Sequence, residues 1–395
     1  MKYALIVPDG AADRPTDALG GRTPLEVARI PNMDRIAAEG RLGTVRTIPK
    51  GLAPGSDVAI LSLLGYNPRT CYTGRAGLEA VAMGIALEED DWVFRTNFVT
   101  VAEGEMVDYS AGHISTQEAA LLIRALQERL GSDTVRFYAG VGYRHLVVVK
   151  GERFKVQTAP PHDIMGSPVK KYLPRGRGAK RLVEMMETSR AVLEDHPVNK
   201  VRRDLGESPA TQIWLWGEGR KPALEGFRAR WGLGGAAITA VDLVRGIAML
   251  IGWDLPKVEG ATGYYDTNYA GKGQVAIEAL RDHDIVLVHV EATDEAGHNG
   301  DAAQKVRALA QIDAHIVGPV LEALGRGGAD WRILVSPDHE TPLELRTHDV
   351  RPVPFAMMGA GLEPSRGSAM TEREADRAGF HVAVGHELME YFLKR

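Results

Sequence analysis

The sequence predicts an α/β fold, a mostly parallel sheet flanked by helices, with a smaller α+β domain inserted into it. Three observations carry this expectation. Apolar runs of strand length recur, each closed by a polar or acidic cluster and followed by a helical pattern. These runs lack polar alternation, as strands buried on both faces of a parallel sheet do. From about Cys71 to about Pro209 the grammar changes, and strand-like pieces gather around one clear helix. The expected division is a discontinuous core, 1–70 and 210–395, and an inserted domain, 71–209.

Taken in order, the first run is Tyr3 to Val7, ending at Pro8-Asp9-Gly10. Helices are expected at Asn32 to Glu39 and at Ser56 to Leu64, where apolar residues recur at helical spacing. In the insert, strands at Val93 to Val101 and Tyr143 to Val149 accompany a helix at Thr116 to Leu130. The stretch from Pro160 to Gly178, rich in breakers and basic residues, suits a loop, over a polar cleft or simply in solvent. Gly232 to Ala236 lacks the G-x-G-x-x-G spacing of a dinucleotide turn and reads as a tight helix entry. Gly271-Lys272-Gly273 lacks the Ser or Thr and the upstream glycine of a P-loop. The second strong run, Asp284 to Val290, ends at Glu291-Ala292-Thr293-Asp294. A long helix is expected at Ala302 to Leu324. The third run, Trp331 to Val335, ends at Ser336-Pro337-Asp338-His339, and a last helix is expected at Val382 to Leu393.

Composition narrows the function classes. At 395 residues, 44% hydrophobic and 25% charged, the chain can bury two cores. Lys and Arg total 47 against 52 Asp and Glu, a formal charge of −5, without the basic excess of a nucleic-acid binder. An anionic small molecule must therefore meet a local basic pocket. The apolar stretches are broken by charge, as by Asp242 and Arg245, so no membrane span of about 20 residues is expected. The single cysteine, Cys71, excludes an intrachain disulfide framework, and the short apolar start is not a secretory signal. A cytoplasmic protein is expected, with self-association into a homo-oligomer left open.

Three strands from distant parts of the chain each end in a ligand for a hard metal: Asp9, Asp294 and the pair Asp338-His339. In parallel α/β sheets the carboxyl ends of the strands form the ligand-binding edge. Four residues after Asp294 stands His298, and nine after His339 stands His348. Mixed carboxylates and imidazoles suit manganese, zinc or a related divalent ion, and the inventory is large enough for two ions. Ser56 stands at the start of an apolar helical run, either as an N-cap or as a hydroxyl at a helix N-terminus able to meet a phosphate. A divalent cation beside it would lower its pKa and make it a nucleophile.

These stretches, with Leu25 to Asp34, Pro54-Gly55-Ser56-Asp57 and Asp338-His339-Glu340-Thr341-Pro342, resemble the alkaline phosphatase superfamily, and within it the archaeal-type cofactor-independent phosphoglycerate mutases. The resemblance runs the length of the chain. It implies an alkaline-phosphatase-like core and two divalent ions, manganese first, with zinc, cobalt or magnesium as alternatives, and no bisphosphoglycerate cofactor. One ion would be held by Asp9, Ser56, Asp338 and His339, the other by Asp294, His298 and His348. It further implies attack by Ser56 on a phosphoglycerate, a phosphoserine, and return of the phosphoryl group to the other hydroxyl of glycerate. Exclusion of water is then required, and the insert is the expected substrate-binding lid. Lys272 and Arg144 are the expected partners of the phosphate and carboxylate, followed by Arg75, His113 and Arg95. Two segments depart from the pattern: Asp108 to Ser115 carries tyrosine, serine and histidine where the family has arginines, and Pro160-Pro161-His162-Asp163 also differs. They resemble a bacterial subgroup for which homoserine kinase activity has been proposed. A homoserine kinase-like phosphotransferase and a plain phosphatase are therefore the alternatives on the same scaffold.

Overall fold

The computed structural model describes residues 1–328, 330–365 and 367–394. The chain divides into two compact units, Met1–Tyr72 with Ala223–Arg395, and Thr73–Pro222. Among the described residues no helix is long and apolar enough to cross a membrane.

The first unit is built on a seven-stranded sheet: β1 (Lys2–Pro8), β2 (Arg41–Val45), β3 (Gly235–Ile238), β4 (Ile285–Val290), β5 (Trp331–Val335), β6 (Val353–Gly359) and β7 (His381–Val382). Their spatial order is β3-β4-β1-β5-β6-β2-β7. All pairings are parallel except those of β6, which runs against both its neighbours. Every residue of β4 is buried, which is why the run shows no alternation in sequence. Ala4, Ile6, Val286, Val288 and Ile333 share one core with Met33, Ile36, Leu280, Leu309 and Ile312. Leu5, Val7 and Leu287 point to the opposite face and are equally buried. Register decides the site: Pro8 lies opposite Val290, and Ile6 opposite both Val288 and Val335. The carboxyl ends of β4, β1 and β5 therefore open side by side.

The second unit holds an antiparallel five-stranded sheet. Trp92–Ala102 lies between Arg144–Val149 and Gln212–Gly219 and pairs at its end with Glu105–Asp108, while Val135–Val141 lies beyond Arg144–Val149. Helices Thr116–Leu130 and Ala179–Glu194 bury Leu122, Leu126, Leu182 and Met186 against Phe94 and Phe98. On the other face, Ala76 and Ala80 of helix Arg75–Ala82 pack on Val93, Leu146 and Val148.

Several expectations are corrected. The boundary placed at 209 lies at Pro222, because Gln212–Gly219 pairs with Trp92–Ala102 and buries Trp214 in the second core. The helix expected at Ala302 to Leu324 is broken into Ala302–Ile312, a wide π turn at Asp313–Val317 and Gly318–Arg326. Pro319 explains the break, since it has no N–H to donate and its ring clashes with the carbonyl four residues back. In place of the helix expected at Val382 to Leu393, the short edge strand β7 is followed by a 3-10 turn at Gly385–Glu387 and an α-helix over Leu388–Leu393. Gly232 ends a helix, with φ +72°, and leads into β3; it does not begin one. Within 160–178, short 3-10 turns precede Arg175–Arg177, which pairs with Lys155–Gln157.

Candidate metal centre

Asp9, Asp294 and the pair Asp338-His339 each stand just beyond a strand. Asp9 follows β1 and is fully buried. Gly10 turns the chain there at φ +60°, and a Cβ on it would come within 2.5 Å of Asp294 Oδ1 and Thr341 Oγ1, so only glycine fits. Beyond β4, helix α1 (Ala292–Asn299) carries Asp294 and His298 one turn apart on one face. Asp338 and His339 follow β5 and are fully buried, and His348 lies on the loop to β6.

These side chains converge. Asp294 Oδ2 lies 3.2 Å from His298 Nε2, and its Oδ1 3.5 Å from His348 Nε2. His339 Nε2 is 3.4 Å from Asp9 Oδ1 and 3.4 Å from Asp338 Oδ2. Ser56 is the first residue of its helix, Ser56–Leu63, and Gly55 occupies the cap position. Its hydroxyl does not cap the helix; it stands 3.3 Å from Asp9 Oδ2 and 3.2 Å from His339 Nε2. All seven sequence-derived candidates are thus brought to one place. Two compact triads stand out, Asp9-Asp338-His339 and Asp294-His339-His348.

The imidazoles are held from behind. His298 Nδ1 lies 3.0 Å from the Arg346 carbonyl, His339 Nδ1 3.3 Å from that of Glu340, and His348 Nδ1 3.4 Å from that of Pro54. Each Nε2 is left to face the centre, the usual orientation of a metal-ligating histidine. Thr341 Oγ1 donates to Asp294 Oδ1 and lies 3.2 Å from His339 Nδ1. Lys305, fully buried, donates to Asp13 Oδ2 at 2.7 Å and to the Thr341 carbonyl at 2.8 Å, tying the turns after β1 and β5 together.

The donor set fits divalent cations. Around this centre, four buried atoms have no hydrogen-bond partner: Asp9 Oδ1, Asp338 Oδ2, His289 Nε2 and Glu291 Oε2. Burial, reinforced by Asp338, Glu291 and Asp294, raises the Asp9 carboxyl well above its ordinary range. Burial likewise pushes Glu291 up to about 7. Burial also disfavours the Asp294 anion, but its bonds to His298 and His348 prevail and hold it well below the carboxylate range. Converging buried carboxylates of this kind require cations between them.

Two predictions arise here. The bond to Asp294 raises His298 to about 9 in the metal-free chain. A cation must displace that proton, so below pH 9 each pH unit gained should tighten binding roughly tenfold for one proton released. Manganese titrations between pH 6.5 and 9.5 should rise and then level off; a flat profile contradicts the assignment of His298. Thr341→Val keeps the buried volume and removes only the hydroxyl, so metal affinity should fall roughly 10- to 100-fold with the fold intact by circular dichroism.

Sequence reasoning missed four contributors: His289, Glu291, Lys305 and Thr341. The first two had a signal, a histidine at the end of an otherwise apolar run followed by an acid. Lys272 lies on helix Tyr269–Asp282, buried, and donates to the His289 carbonyl at 2.9 Å. Burial lowers it to about 8, opposed by Glu291. The other basic candidates belong to the second unit. Arg75, Arg95 and Glu79 form one cluster, with Arg95 Nε 3.1 Å from Glu79 and its guanidinium 4.2 Å over the Trp216 ring. Arg144 lies opposite Asn97 in register, two residues from Arg95 and so on the same sheet face. The His113 ring stands 6.3 Å from that of Tyr143.

Residues 37–199 match the family described as 2,3-bisphosphoglycerate-independent phosphoglycerate mutase. A protein of that name from Methanothrix thermoacetophila is 50% identical over 393 residues, covering 100% of both chains. A probable 2,3-bisphosphoglycerate-independent phosphoglycerate mutase from Geobacter sulfurreducens is 50% identical over 400 residues, again covering 100% of both. The solved cofactor-independent phosphoglycerate mutase from Thermoplasma acidophilum superposes with a TM-score of 0.68 at 28% identity, covering 100% of this chain and 99% of that one.

Proposed function

Because the chain belongs to the 2,3-bisphosphoglycerate-independent phosphoglycerate mutase family, and is on that ground an isomerase, we propose that it interconverts 3- and 2-phosphoglycerate through a phosphoserine on Ser56 and depends on divalent metal. The observation that carries this reading is the Ser56 hydroxyl, buried at a helix start and in contact with Asp9 and His339.

Asp9, Ser56, Asp338 and His339 would hold one ion, and Asp294, His298 and His348 the other. Bound there, such ions lower the pKa of the serine hydroxyl and offset phosphoryl charge. Ser56 Oγ forms its bond to phosphorus as the bond from phosphorus to the 3-oxygen breaks, leaving phosphoserine and glycerate. The 2-oxygen then attacks phosphorus, and the Oγ–P bond breaks to restore Ser56. With Ser56 deprotonated at the start and restored as the alkoxide at the end, the one proton that must move passes from the 2-hydroxyl of glycerate to its 3-oxygen, so the cycle is balanced. Lys272, largely protonated at neutral pH with its value near 8, supplies a buried cation for the phosphate. We assign recognition of the carboxylate and exclusion of water to the second unit, which carries Arg75, Arg95, Arg144 and His113.

Phosphorus NMR of manganese-loaded protein with 3-phosphoglycerate, and no bisphosphoglycerate, tests the reading. Accumulation of 2-phosphoglycerate to equilibrium with little inorganic phosphate is expected. Phosphate alone would mark a phosphatase. No change, followed by turnover with ATP and homoserine, would mark the phosphotransferase suggested by Tyr109, Ser110 and His113.

A further inference from the structure

We propose that Arg14 is a positioning residue for the second ion: it joins Glu340 to Asp349 and so fixes His348, the ligand carried by an exposed loop, against His339. The inference rests on the two-ion reading above, because it concerns how one ligand of that pair of sites is held. Arg14 acts through the two carboxylates and is not itself a ligand.

Chain position supplies the first argument. Glu340 stands next to His339 in the chain and Asp349 next to His348, and the two imidazole rings lie 4.2 Å apart between centroids. The two segments meet where the Asp349 N–H donates to the Glu340 carbonyl at 3.0 Å. Arg14 lies across that joint. Its Nε is 3.4 Å from Glu340 Oε2, and its Nη2 pairs with Asp349 Oδ2. One planar guanidinium thus spans both carboxylates, which the single ammonium of a lysine cannot do in the same geometry.

The base of this clamp is rigid and its far end is not. Asp13 takes the ammonium of the buried Lys305 on Oδ2 at 2.7 Å, and its Oδ1 accepts from the Arg14 N–H at 2.8 Å. Glu340 is buried and bridged to Ala11 and Ala12 in the turn after β1. By contrast, Glu344, Leu345, Arg346 and Thr347, which lead into His348, are exposed, as is Val350. A second tie reaches this loop from Arg46, whose Nη1 donates to the Val350 carbonyl at 3.2 Å. Asp9, Asp338 and His339 are fully buried and need no such support. Loss of the clamp should therefore act on His348 and spare the other set. An ion pair this exposed adds little to folding stability, so what Arg14 contributes is geometry. Charge alone predicts the opposite sign: Arg14 is a cation close to a site for cations, and by Coulomb's law its removal would tighten metal binding.

The test is manganese titration of the metal-stripped full chain, followed by electron paramagnetic resonance. Two ions are expected in the wild type. In Arg14→Ala one of them should bind roughly 10- to 100-fold more weakly, the scale for loss of an outer partner of a ligand, with the other unchanged and the fold intact by circular dichroism. Asp349→Asn should weaken the same ion, and the double variant should lose no more than the larger single loss, because both substitutions break one link. Arg14→Lys keeps the charge without the fork, so its loss should be intermediate. Unchanged or tighter binding of both ions in Arg14→Ala overturns the proposal, as does additive loss in the double variant. Should Arg14→Ala misfold, wild-type affinity in Arg14→Lys overturns it instead. Fewer than two ions in the wild type rejects the two-ion reading and the proposal with it, whereas two ions there with unchanged affinities in Arg14→Ala reject the proposal alone.

Discussion

Ser56→Ala should abolish isomerisation, lowering turnover on the order of 10^4-fold or more, the scale seen when a covalent nucleophile is removed from an otherwise intact site. The same variant should leave no phosphoenzyme after acid quenching of a reaction with 3-phosphoglycerate. The effect is chemical, because the substitution disturbs little else. Ser56 has no capping bond to lose, and its helix is anchored by the buried run Val58, Ala59, Ile60, Leu61 and Leu63. Thermal stability should therefore stay close to that of the unaltered chain, while the ion that Ser56 helps to hold should bind more weakly. The other ligands would remain, so slow hydrolysis of the substrate is a tolerable residue of activity. Isomerisation without Ser56, or an undiminished phosphorylated species, rules out the serine as the nucleophile.

That the ligands around this residue are visible in the sequence has a physical cause. Parallel strands buried on both faces write themselves as apolar runs, and their carboxyl ends must gather along one edge, so Asp9, Asp294 and Asp338-His339 are legible from their positions alone. The family resemblance adds the expected grouping of ligands. What escapes is what tertiary packing creates. Lys305 lies on a helix where a lysine normally faces solvent, and only the folded chain shows its ammonium closed between Asp13 and Thr341. His289 hides in β4 because a single histidine in an apolar run reads as packing. The antiparallel β6 and the π turn at Asp313–Val317 are equally silent, since neither strand direction nor a widened turn alters local periodicity. The boundary at Pro222 depends on a strand pairing across more than a hundred residues, which composition cannot report.

Asp294→Asn is the second change expected to act strongly, and it separates the ions from the nucleophile. Asp294 is the only carboxylate in its triad, with His339 and His348 supplying neutral nitrogens. Asparagine keeps the volume and an oxygen that can accept from Thr341 Oγ1, so the loop after β5 has no reason to move. The charge alone is lost. Removing one partner of a buried charge pair costs about 3–5 kcal/mol, which corresponds to roughly 10^2- to 5 × 10^3-fold weaker metal binding. One ion per chain should be lost in dilute buffer, and turnover should recover in part at high manganese if weakened affinity is the cause. His298 provides an independent readout. Its value near 9 is owed first to the bond with Asp294, so the variant should bring it back towards the ordinary imidazole range and flatten the pH dependence of metal binding above neutrality. Unchanged manganese content together with an unchanged pH profile would show that Asp294 neither binds an ion nor pairs with His298. Loss of turnover with full manganese content would instead place its role in orienting His298 and His348, and the second ion would need other ligands.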